Sequence, residues 1–472
     1  MPSLFPEIFL GTSLLLLLVS GSILIYSPQY NHPIFCFQNF TSCILVWFFI
    51  LCRYDIPFDA DPSFVCDNLS MYSKTLMCLG ALGILAVGKT KKIKIFEYYV
   101  LILLGFLGLS LIASSLDLVA VYLCLELQTL AFYILTTFQP SSSFSTEAGL
   151  KYFLLGAISS SLLLFGVSFV YGFSGTTNLE DLAILNIQHI DSDYQGVSVI
   201  IQAGLLLFSL GLLFKIGVVP FHLWLPDVYE GAPSSVTTLF AVVPKLSIFV
   251  VLLRLIDAVH LPMLQGVFIS LALISLVLGS LLALFQKKLK RLLAFSGISH
   301  VGYALLALSC NTLDGISATI IYLVFYILTS LFLWGLVLSI ENPKSRTLHL
   351  SDLIGWGRAH PFLSFSACIV VFSLAGIPPL GGFFAKFAVF VASADLSLYL
   401  GICFGLLASS IGVLYYLRLI KLLHFEETVW HRPSQLQKAH VFFIGISAFF
   451  LIFFILFGDF FYLICYQISL SF

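Results

Sequence analysis

Long apolar runs recur along the whole chain and constrain its fold more than any other feature of the sequence. Hydrophobic residues fill 60% of the 472 positions and charged residues only 10%, so polar groups could not cover the surface of a water-soluble globule of this size. A helix that crosses a bilayer needs about 20 apolar residues. The pattern predicts an all-α polytopic membrane protein with about fourteen transmembrane helices.

The predicted spans follow one another at short intervals. They lie near residues 5–27, 34–52, 69–88, 96–115, 117–138, 151–172, 197–225, 232–258, 262–285, 292–310, 316–340, 362–391, 398–422 and 440–465. The first run lacks a basic leader and is long enough for a crossing, so we interpret it as a retained helix rather than a signal peptide. Lys and Arg concentrate in the loops at 89–94, 287–291, 344–358 and 418–438, which predicts that those loops face inward and both termini outward.

Several classes of site are disfavoured by the sequence. The ten cysteines form no CxxC pair and most lie in apolar runs, so we interpret them as buried thiols rather than zinc or iron–sulfur ligands. No glycine-rich loop follows a strand-like run, so neither a nucleotide nor a flavin site is expected. The net charge of −1 gives no indication of nucleic-acid binding. We therefore expect no cofactor and no metal in this chain.

Five ionisable residues are expected at depth in the membrane, each in a different predicted span. They are Glu126, Lys215, Lys245, His300 and Lys386. A charge in hydrocarbon costs at least about 2–3 kcal/mol unless it has a partner or water, so such residues indicate function by default. A structural interpretation fits a single lysine that snorkels to an interface, but it fits poorly with three lysines and a glutamate near mid-span. For His300 alone, a structural bond to a carbonyl is an equally good interpretation.

Four other charged residues are expected at the ends of spans. Lys74 and Arg254 are predicted to lie at the outer membrane interface. Glu147 and Lys151 stand four residues apart, the spacing of an ion pair on a helix surface. None of these four is expected to take part in function.

Prolines accompany the buried lysines and predict helix breaks. They are Pro220 in the seventh span, Pro244 in the eighth, and Pro378 and Pro379 in the twelfth. A proline frees a backbone carbonyl, and broken helices are tolerated in a membrane where they line a protein-enclosed or water-filled cavity. We therefore expect helices 7 and 12 to be broken, and Pro244 to mark a further break.

The order of lysine and proline suggests two inverted repeats of five helices. In the seventh span the lysine precedes the proline, and in the twelfth it follows, as expected when a unit with an odd number of helices is repeated from the opposite side. The predicted division is residues 1–95 as an N-terminal three-helix segment, 96–258 and 259–424 as the two repeats, and 425–472 as a C-terminal helix. Transporters of this architecture bind ions near mid-membrane.

Five stretches of the sequence carry a family resemblance, and they occur in the family's order. They are LCLELQTLAFYIL, STEAGLKYFLLGAISS, FKIGVVPFHLWLPDVYEGAP, KKLKRLLAFSGISHVGY and FSLAGIPPLGGFFAKF. The chain resembles the antiporter-like proton-pumping subunits of respiratory complex I over essentially its whole length. Lysine at position 386, rather than the glutamate of other members, narrows the resemblance within that family.

The resemblance implies a role for each buried charge. Glu126 would pair with Lys215 and control its loading, Lys245 and His300 would relay the proton, and Lys386 would pass it toward the outer side. Redox chemistry in other subunits would drive this movement, and FMN, iron–sulfur clusters, NADH and ubiquinone are expected there. The implied partners are other membrane-arm subunits, including further antiporter-like ones, and membrane lipids.

Two other functions and several compartments remain open at this stage. A cation/proton antiporter subunit would use the same fold and nearly the same buried residues. A structural spacer of the membrane arm would keep the fold without needing the charges. The 47 phenylalanines and the strong hydrophobicity favour an organelle-encoded protein of the mitochondrial inner membrane, with the bacterial plasma membrane and the chloroplast thylakoid as alternatives.

Overall fold

The computed structural model describes residues 4–25, 33–52, 63–87, 96–190, 195–259, 262–340, 348–426 and 438–470, which fold almost entirely into α-helices. The first nine helices are α1 (Phe5–Ile25), α2 (Pro33–Leu51), α3 (Asn68–Val87), α4 (Glu97–Ser114), α5 (Leu118–Thr136), α6 (Ser143–Ser174), α7 (Leu179–Ile190), α8 (Gln195–Ile216) and α9 (Trp224–Gly231). The other nine are α10 (Ser234–Val259), α11 (Pro262–Leu284), α12 (Leu289–Leu308), α13 (Leu313–Ile340), α14 (Trp356–Ala359), α15 (Pro361–Ala375), α16 (Gly381–Asp395), α17 (Tyr399–His424) and α18 (Lys438–Leu470).

Helices dominate because lipid offers no hydrogen bonds to the backbone, which a helix satisfies internally. Eleven helices of the described part are long and apolar enough to cross a membrane. A twelfth crossing results if the two arms of α18, bent by 89° to each other, count as one span. The segment Phe37–Leu51 and α15 are apolar but shorter. The protein is therefore an all-α, multi-pass membrane protein, and the count of about fourteen spans stays a prediction.

Three helices form the centre of the bundle. The membrane-length window of α10 is buried along its whole length, and those of α12 and α13 are buried over 94% of theirs. In contrast, α6, α11 and α17 bury well under half of theirs and leave large apolar side chains on the outside, as lipid-facing helices do. Side chains that project from α10, α12 and α13 therefore meet each other away from lipid.

The two expected helix breaks after Lys215 and before Lys386 are confirmed. α8 ends at Ile216 and α9 begins only at Trp224, while α15 ends at Ala375 and α16 begins at Gly381. Each break opens with a glycine in the left-handed region, Gly217 at φ 82° and Gly376 at φ 83°. Only glycine adopts this conformation without strain, so both helices end by the same C-terminal motif.

The break predicted at Pro244 is wrong. Pro244 lies inside α10, which continues unbroken from Ser234 to Val259. A proline in a helix interior removes one hydrogen bond and costs about 3 kcal/mol. Because α10 is enclosed by other helices along its whole membrane window, packing on all sides offsets that loss and keeps the helix continuous.

Two short antiparallel bridges occupy equivalent places in the chain. One joins Asp117, just before α5, to Asn178, just after α6. The other joins Lys288, just before α12, to His349, which follows α13 in the chain. Two backbone hydrogen bonds flank each bridge in the same pattern. At the first bridge, Leu118 N donates to Thr177 O at 3.0 Å and Leu179 N donates to Leu116 O at 3.1 Å. At the second, Leu289 N donates to Leu348 O and Leu350 N donates to Lys287 O, both at 3.0 Å.

Lys74 and Arg254 are both buried inside the bundle, each beside a carboxylate, and their position at the outer membrane interface stays a prediction. Lys74 is fully buried and forms a 2.6 Å ion pair with Glu7 of α1. Arg254 is also buried and donates two hydrogen bonds, of 2.8 and 2.9 Å, to the carboxylate of Asp67. Both cations lie inside because a carboxylate from another part of the chain accompanies them.

Other expectations on charged residues have mixed outcomes. The predicted pair of Glu147 and Lys151 is confirmed, with an N–O distance of 2.8 Å. Residues 89–94, 344–346 and 432, which carry part of the predicted inward positive charge, lie outside the described residues. α7, which runs through a region predicted to be a loop, is an additional helix.

Candidate functional site

The structure places every predicted basic group of the site inside the bundle. The residues lie on α8, α10, α12 and α16 with these exposed fractions: Lys215 9%, Lys245 3%, His300 6% and Lys386 7%. Glu126, on α5, is half-buried. Because an ionised group is expensive at such depth, the partners of each side chain determine what it can do.

Lys215 lies in the last turn of α8 without a bonded partner. Its Nζ atom is buried and has no hydrogen bond within the described part of the chain. The charge of Glu126 acts on it, but no ion pair within 4.0 Å joins these two described residues. Glu126 itself has one buried oxygen without a partner, and its other oxygen lies 3.5 Å from Thr129 Oγ1. The predicted pair is therefore open in this conformation.

At the first helix break, which contains Pro220, a tryptophan binds a backbone carbonyl at the end of α8. Trp224 Nε1 donates a 3.0 Å hydrogen bond to the carbonyl oxygen of Phe214, at the end of α8. The indole ring stacks on Tyr152 with a centroid distance of 4.9 Å. The carbonyl of Phe214 therefore accepts from the indole and, at 3.1 Å, from Gly217 N, and Lys215 does not bind it.

Lys245 is bonded to a phenol. Its Nζ donates to Tyr326 Oη at 2.5 Å and lies 4.5 Å from the centroid of the tyrosine ring. A Cβ atom on Gly297 would come within 3.2 Å of both Lys245 Nζ and Tyr326 Oη. The glycine of α12 therefore leaves room for this contact between α10 and α13.

His300 is held between two tyrosines. Its Nδ1 lies 2.6 Å from Tyr322 Oη of α13, and its Nε2 lies 3.0 Å from Tyr416 Oη of α17. A phenol can donate or accept a hydrogen bond, so either ring tautomer is accommodated. The alternative of a bond to a backbone carbonyl is not what the structure contains.

Lys386 donates hydrogen bonds to backbone carbonyls at the second helix break, which contains Pro378 and Pro379. Its Nζ donates to Leu374 O at 2.9 Å and to Ala375 O at 2.8 Å, the last two carbonyls of α15. It also lies 5.4 Å from the ring centroid of Tyr303. The carboxyl end of a helix is the negative end of its dipole, so it stabilises a cation there.

A small cavity is lined by His300 and Lys386 and also by Tyr326, the partner of Lys245. It has a volume of about 20 Å³, and its polar lining consists of His300, Tyr322, Tyr326, Thr329, Ser373 and Lys386. A cavity needs roughly 10–15 Å³ to hold one water molecule with polar partners. The structure therefore brings Lys245, through Tyr326, to the same water-sized space as His300 and Lys386.

A second group of charges surrounds the short helix α9. Asp227 binds Lys151 Nζ at 3.0 Å and Arg291 Nη2 at 2.8 Å. Glu230 pairs with Lys288, and with Arg291 at 3.5 Å. Because Lys151 belongs to α6 while Arg291 belongs to α12, this α9 charge network fastens the segment after the first break to helices on both sides of it in the chain.

Sequence reasoning missed the tyrosines and the carboxylates of α9. Tyr322 and Tyr326 stand four residues apart in α13, which places them on one face of the helix. Asp227 and Glu230 stand three residues apart in α9, which also places them on one face of the helix. Both spacings were visible in the sequence, but their partners come from distant helices.

A family model described as NADH:quinone oxidoreductase/Mrp antiporter, TM, matches residues 115–412. This range contains Glu126, Lys215, Lys245, His300 and Lys386, as well as Tyr322 and Tyr326 of α13. The match therefore covers all five predicted site residues and more than half of the chain.

Two curated relatives match almost the full chain. NADH-ubiquinone oxidoreductase chain 2 of Marchantia polymorpha is 36% identical and covers 99% of this chain and 98% of its own length. NADH-quinone oxidoreductase subunit N of Pelagibacter ubique is 39% identical and covers 90% of this chain and 89% of its own. Among solved structures, a chain of respiratory complex I from Thermus thermophilus with bound Aureothin superposes with a TM-score of 0.80 at 28% identity, covering 96% of this chain and 98% of that one.

Proposed function

The chain belongs to the NADH:quinone oxidoreductase/Mrp antiporter transmembrane family, and on that premise we propose that it is an antiporter-like membrane-arm subunit that translocates protons within NADH:ubiquinone oxidoreductase. The observation that carries the proposal is the set of buried basic side chains on α8, α10, α12 and α16, since a purely structural bundle would not need them. Lys215 and Glu126 with their unpartnered atoms support it most directly.

The distance between Glu126 and Lys215 controls loading of the first site in this proposal. Burial favours the neutral amine, and an approaching carboxylate favours the ammonium ion. Two unit charges 4 Å apart attract by about 4 kcal/mol at an effective dielectric constant near 20. Moving one charge across the membrane needs about 2.3 kcal/mol per 100 mV. Closing and opening this pair is therefore large enough to bind and then release a proton.

The released proton moves from α8 toward α16. Lys245 receives it from Lys215, His300 assists beside the path, and Lys386 passes it toward the outer side. Each acceptor is a buried basic group, so a proton that arrives on one group repels a proton already on the next. This repulsion favours onward movement of the second proton. The water-sized cavity between Tyr326 and Lys386 supports the later part of this route.

The proposed division into repeats follows the same residues. We assign 96–258 and 259–424 to two inverted five-helix units, with 1–95 and 425–472 as flanking segments. The matching bridges before α5 and before α12 support the division, as do the matching glycines at the two breaks. In transporters built this way, ions bind near mid-membrane where the repeats meet.

The redox chemistry belongs to other subunits in this proposal. FMN, the iron–sulfur clusters, NADH and ubiquinone are bound elsewhere in the enzyme, and this chain carries no redox centre of its own. Its neighbours are further membrane-arm subunits and lipids. The plant relative named for ubiquinone supports the mitochondrial inner membrane as its location, and the bacterial relative is the reason to keep the plasma membrane as the alternative.

A cation/proton antiporter subunit is the second candidate, because the description of the matching family model includes Mrp antiporters. The two candidates differ in partners. A membrane-arm subunit purifies with flavin and iron–sulfur subunits, whereas an antiporter subunit purifies without them.

The test combines purification with one substitution. Purification by a tag on this chain is expected to recover flavin, iron–sulfur clusters and NADH:ubiquinone activity. In the complex reconstituted in vesicles, Lys215→Ala is expected to lower turnover and proton pumping at least about tenfold. Lys421→Ala is the control, since that side chain is 67% exposed. Recovery without flavin would favour the antiporter, and Lys215→Ala pumping like Lys421→Ala would reduce the chain to a structural component.

A further inference from the structure

Tyr326 is the only partner of Lys245 among the described residues, and it also reaches the cavity. Lys245 Nζ donates to Tyr326 Oη at 2.5 Å. While Lys245 is an ammonium ion, the phenol proton has no acceptor in the part of the chain that the structure describes. Tyr326 lines the cavity of about 20 Å³, which has space for one water molecule as that acceptor.

Lys386 lies on another wall of that cavity with two of its hydrogens already engaged. Its two hydrogen bonds to Leu374 O and Ala375 O account for both N–H groups of a neutral amine. The lone pair of the neutral amine remains free to take a proton. After protonation, the third N–H of the ammonium group donates in the same direction without breaking either bond to the helix end.

We propose that the phenol of Tyr326 transfers the proton between Lys245 and Lys386. The Lys245 ammonium ion gives one proton to the phenol oxygen as the phenol gives its own proton to the water in the cavity. That water gives a proton to neutral Lys386. Tyr326 and the water end neutral, Lys245 ends as the amine and Lys386 as the ammonium ion, so protons and charge are conserved.

The geometry separates the roles of the neighbouring tyrosines. Tyr322 is bonded to His300 Nδ1, and Tyr416 to His300 Nε2, so both position the imidazole at the edge of the cavity. Tyr303 donates a 2.6 Å bond to Gly405 O and is committed to the backbone of α17. Of these buried phenols, Tyr326 alone contacts a lysine amine through its hydroxyl.

Gly297 protects the contact between the lysine and the phenol. A Cβ atom there would lie 3.2 Å from each of Lys245 Nζ and Tyr326 Oη. A methyl group at this position requires these atoms to give way by a few tenths of an ångström, so Gly297→Ala disturbs the contact while keeping both reacting groups.

The inference rests on the proposed function, and it is tested in the intact complex with Tyr326→Phe. Removing the hydroxyl interrupts the transfer but keeps the ring, so NADH:ubiquinone turnover and proton pumping are expected to fall together by roughly 10²-fold, the scale of a lost proton-transfer group. The solvent deuterium isotope effect on turnover is expected to rise, because proton transfer becomes the slowest step. A merely structural tyrosine would not change the isotope effect.

Tyr98→Phe is the matched control, since it removes the hydroxyl of an equally buried tyrosine on α4 that packs on Tyr99 and Phe138; turnover close to wild type is expected. Gly297→Ala is expected to lower turnover in the same direction as Tyr326→Phe, and it decides the question if Tyr326→Phe does not assemble. Wild-type turnover in Tyr326→Phe, or in Gly297→Ala in its place, would overturn the inference. If Tyr326→Phe and Lys245→Ala both pump normally, the proposed relay itself fails. If pumping is lost in Lys245→Ala but not in Tyr326→Phe, only the role of Tyr326 is wrong.

Discussion

The two broken helices solve the same backbone problem in opposite ways. Both end with a glycine at positive φ, and carbonyls at the end of each helix accept a hydrogen bond from a side chain. At the first break the indole of Trp224 binds the carbonyl of Phe214, and Lys215 has no hydrogen bond within the described residues. At the second break Lys386 itself binds the carbonyls of Leu374 and Ala375.

This difference assigns different tasks to the two lysines. A lysine without fixed partners responds to any charge that approaches, so Lys215 suits a site that is loaded and emptied by Glu126. A lysine fixed to the negative end of a helix keeps its position in either protonation state, so Lys386 suits a fixed relay. The backbone of the break is alike in both places. What differs is the side chain that binds the carbonyl at the helix end, and this difference determines the role of the lysine.

The largest expected contrast is in stability. Lys386→Met leaves two buried carbonyls without donors, at about 1–3 kcal/mol each, so the assembled complex should lose thermal stability. Lys215→Met removes an unpartnered buried amine and should leave stability unchanged or raise it. Thermal inactivation of the purified complexes measures both. If Lys215→Met proves the less stable variant, the contrast between the two breaks is wrong.

Removing the indole donor should make the first break resemble the second. In Trp224→Phe the carbonyl of Phe214 becomes available to Lys215, which is then held as Lys386 is. A net hydrogen bond of about 0.5–1.5 kcal/mol predicts a loss of turnover of roughly two- to tenfold. Trp334→Phe, at a buried tryptophan of α13 that packs on Tyr229, is the control for loss of ring volume. Equal turnover in both variants would show that Trp224 does not keep Lys215 free.

The smallest effect is expected at the α9 charge network. Asp227→Asn weakens the ties of α9 to Lys151 and Arg291, which are partly exposed pairs worth about 0.2–1 kcal/mol. We expect turnover to fall by about twofold, with the difference from wild type shrinking at high salt because screening weakens these pairs in both proteins. Glu426→Gln, which alters a remote pair with Lys421, should have no effect. A tenfold loss in Asp227→Asn would mean that the network controls the break itself.

Much of the fold could be predicted from the sequence because the membrane imposes it. Apolar runs of bilayer length were enough to expect the helices, and prolines near the buried lysines were enough to expect the breaks at 217–223 and 376–380. The exception at Pro244 shows the limit of that reasoning. Whether a proline breaks a helix depends on packing from all sides, and the local sequence does not contain that information.

The site could be predicted as a set of residue types but not as a set of contacts. Burial of Lys215, Lys245 and Lys386 followed from their apolar surroundings in the sequence. Their partners did not, since Tyr326 and the α15 carbonyls come from other helices. The same holds for Lys74, whose partner Glu7 stands on a different helix, so the local sequence does not show that the two charges pair inside the protein.

The most direct test of the account is proton pumping and NADH:ubiquinone turnover of the reconstituted complex with Glu126→Gln, beside Glu147→Gln. Glu126→Gln removes the charge that is proposed to load Lys215, while Glu147 lies on the exposed surface of α6 with its side chain 61% exposed. The account predicts that pumping and turnover fall together in Glu126→Gln and persist in Glu147→Gln. Normal pumping in Glu126→Gln would contradict it, because Lys215 would then load without the carboxylate.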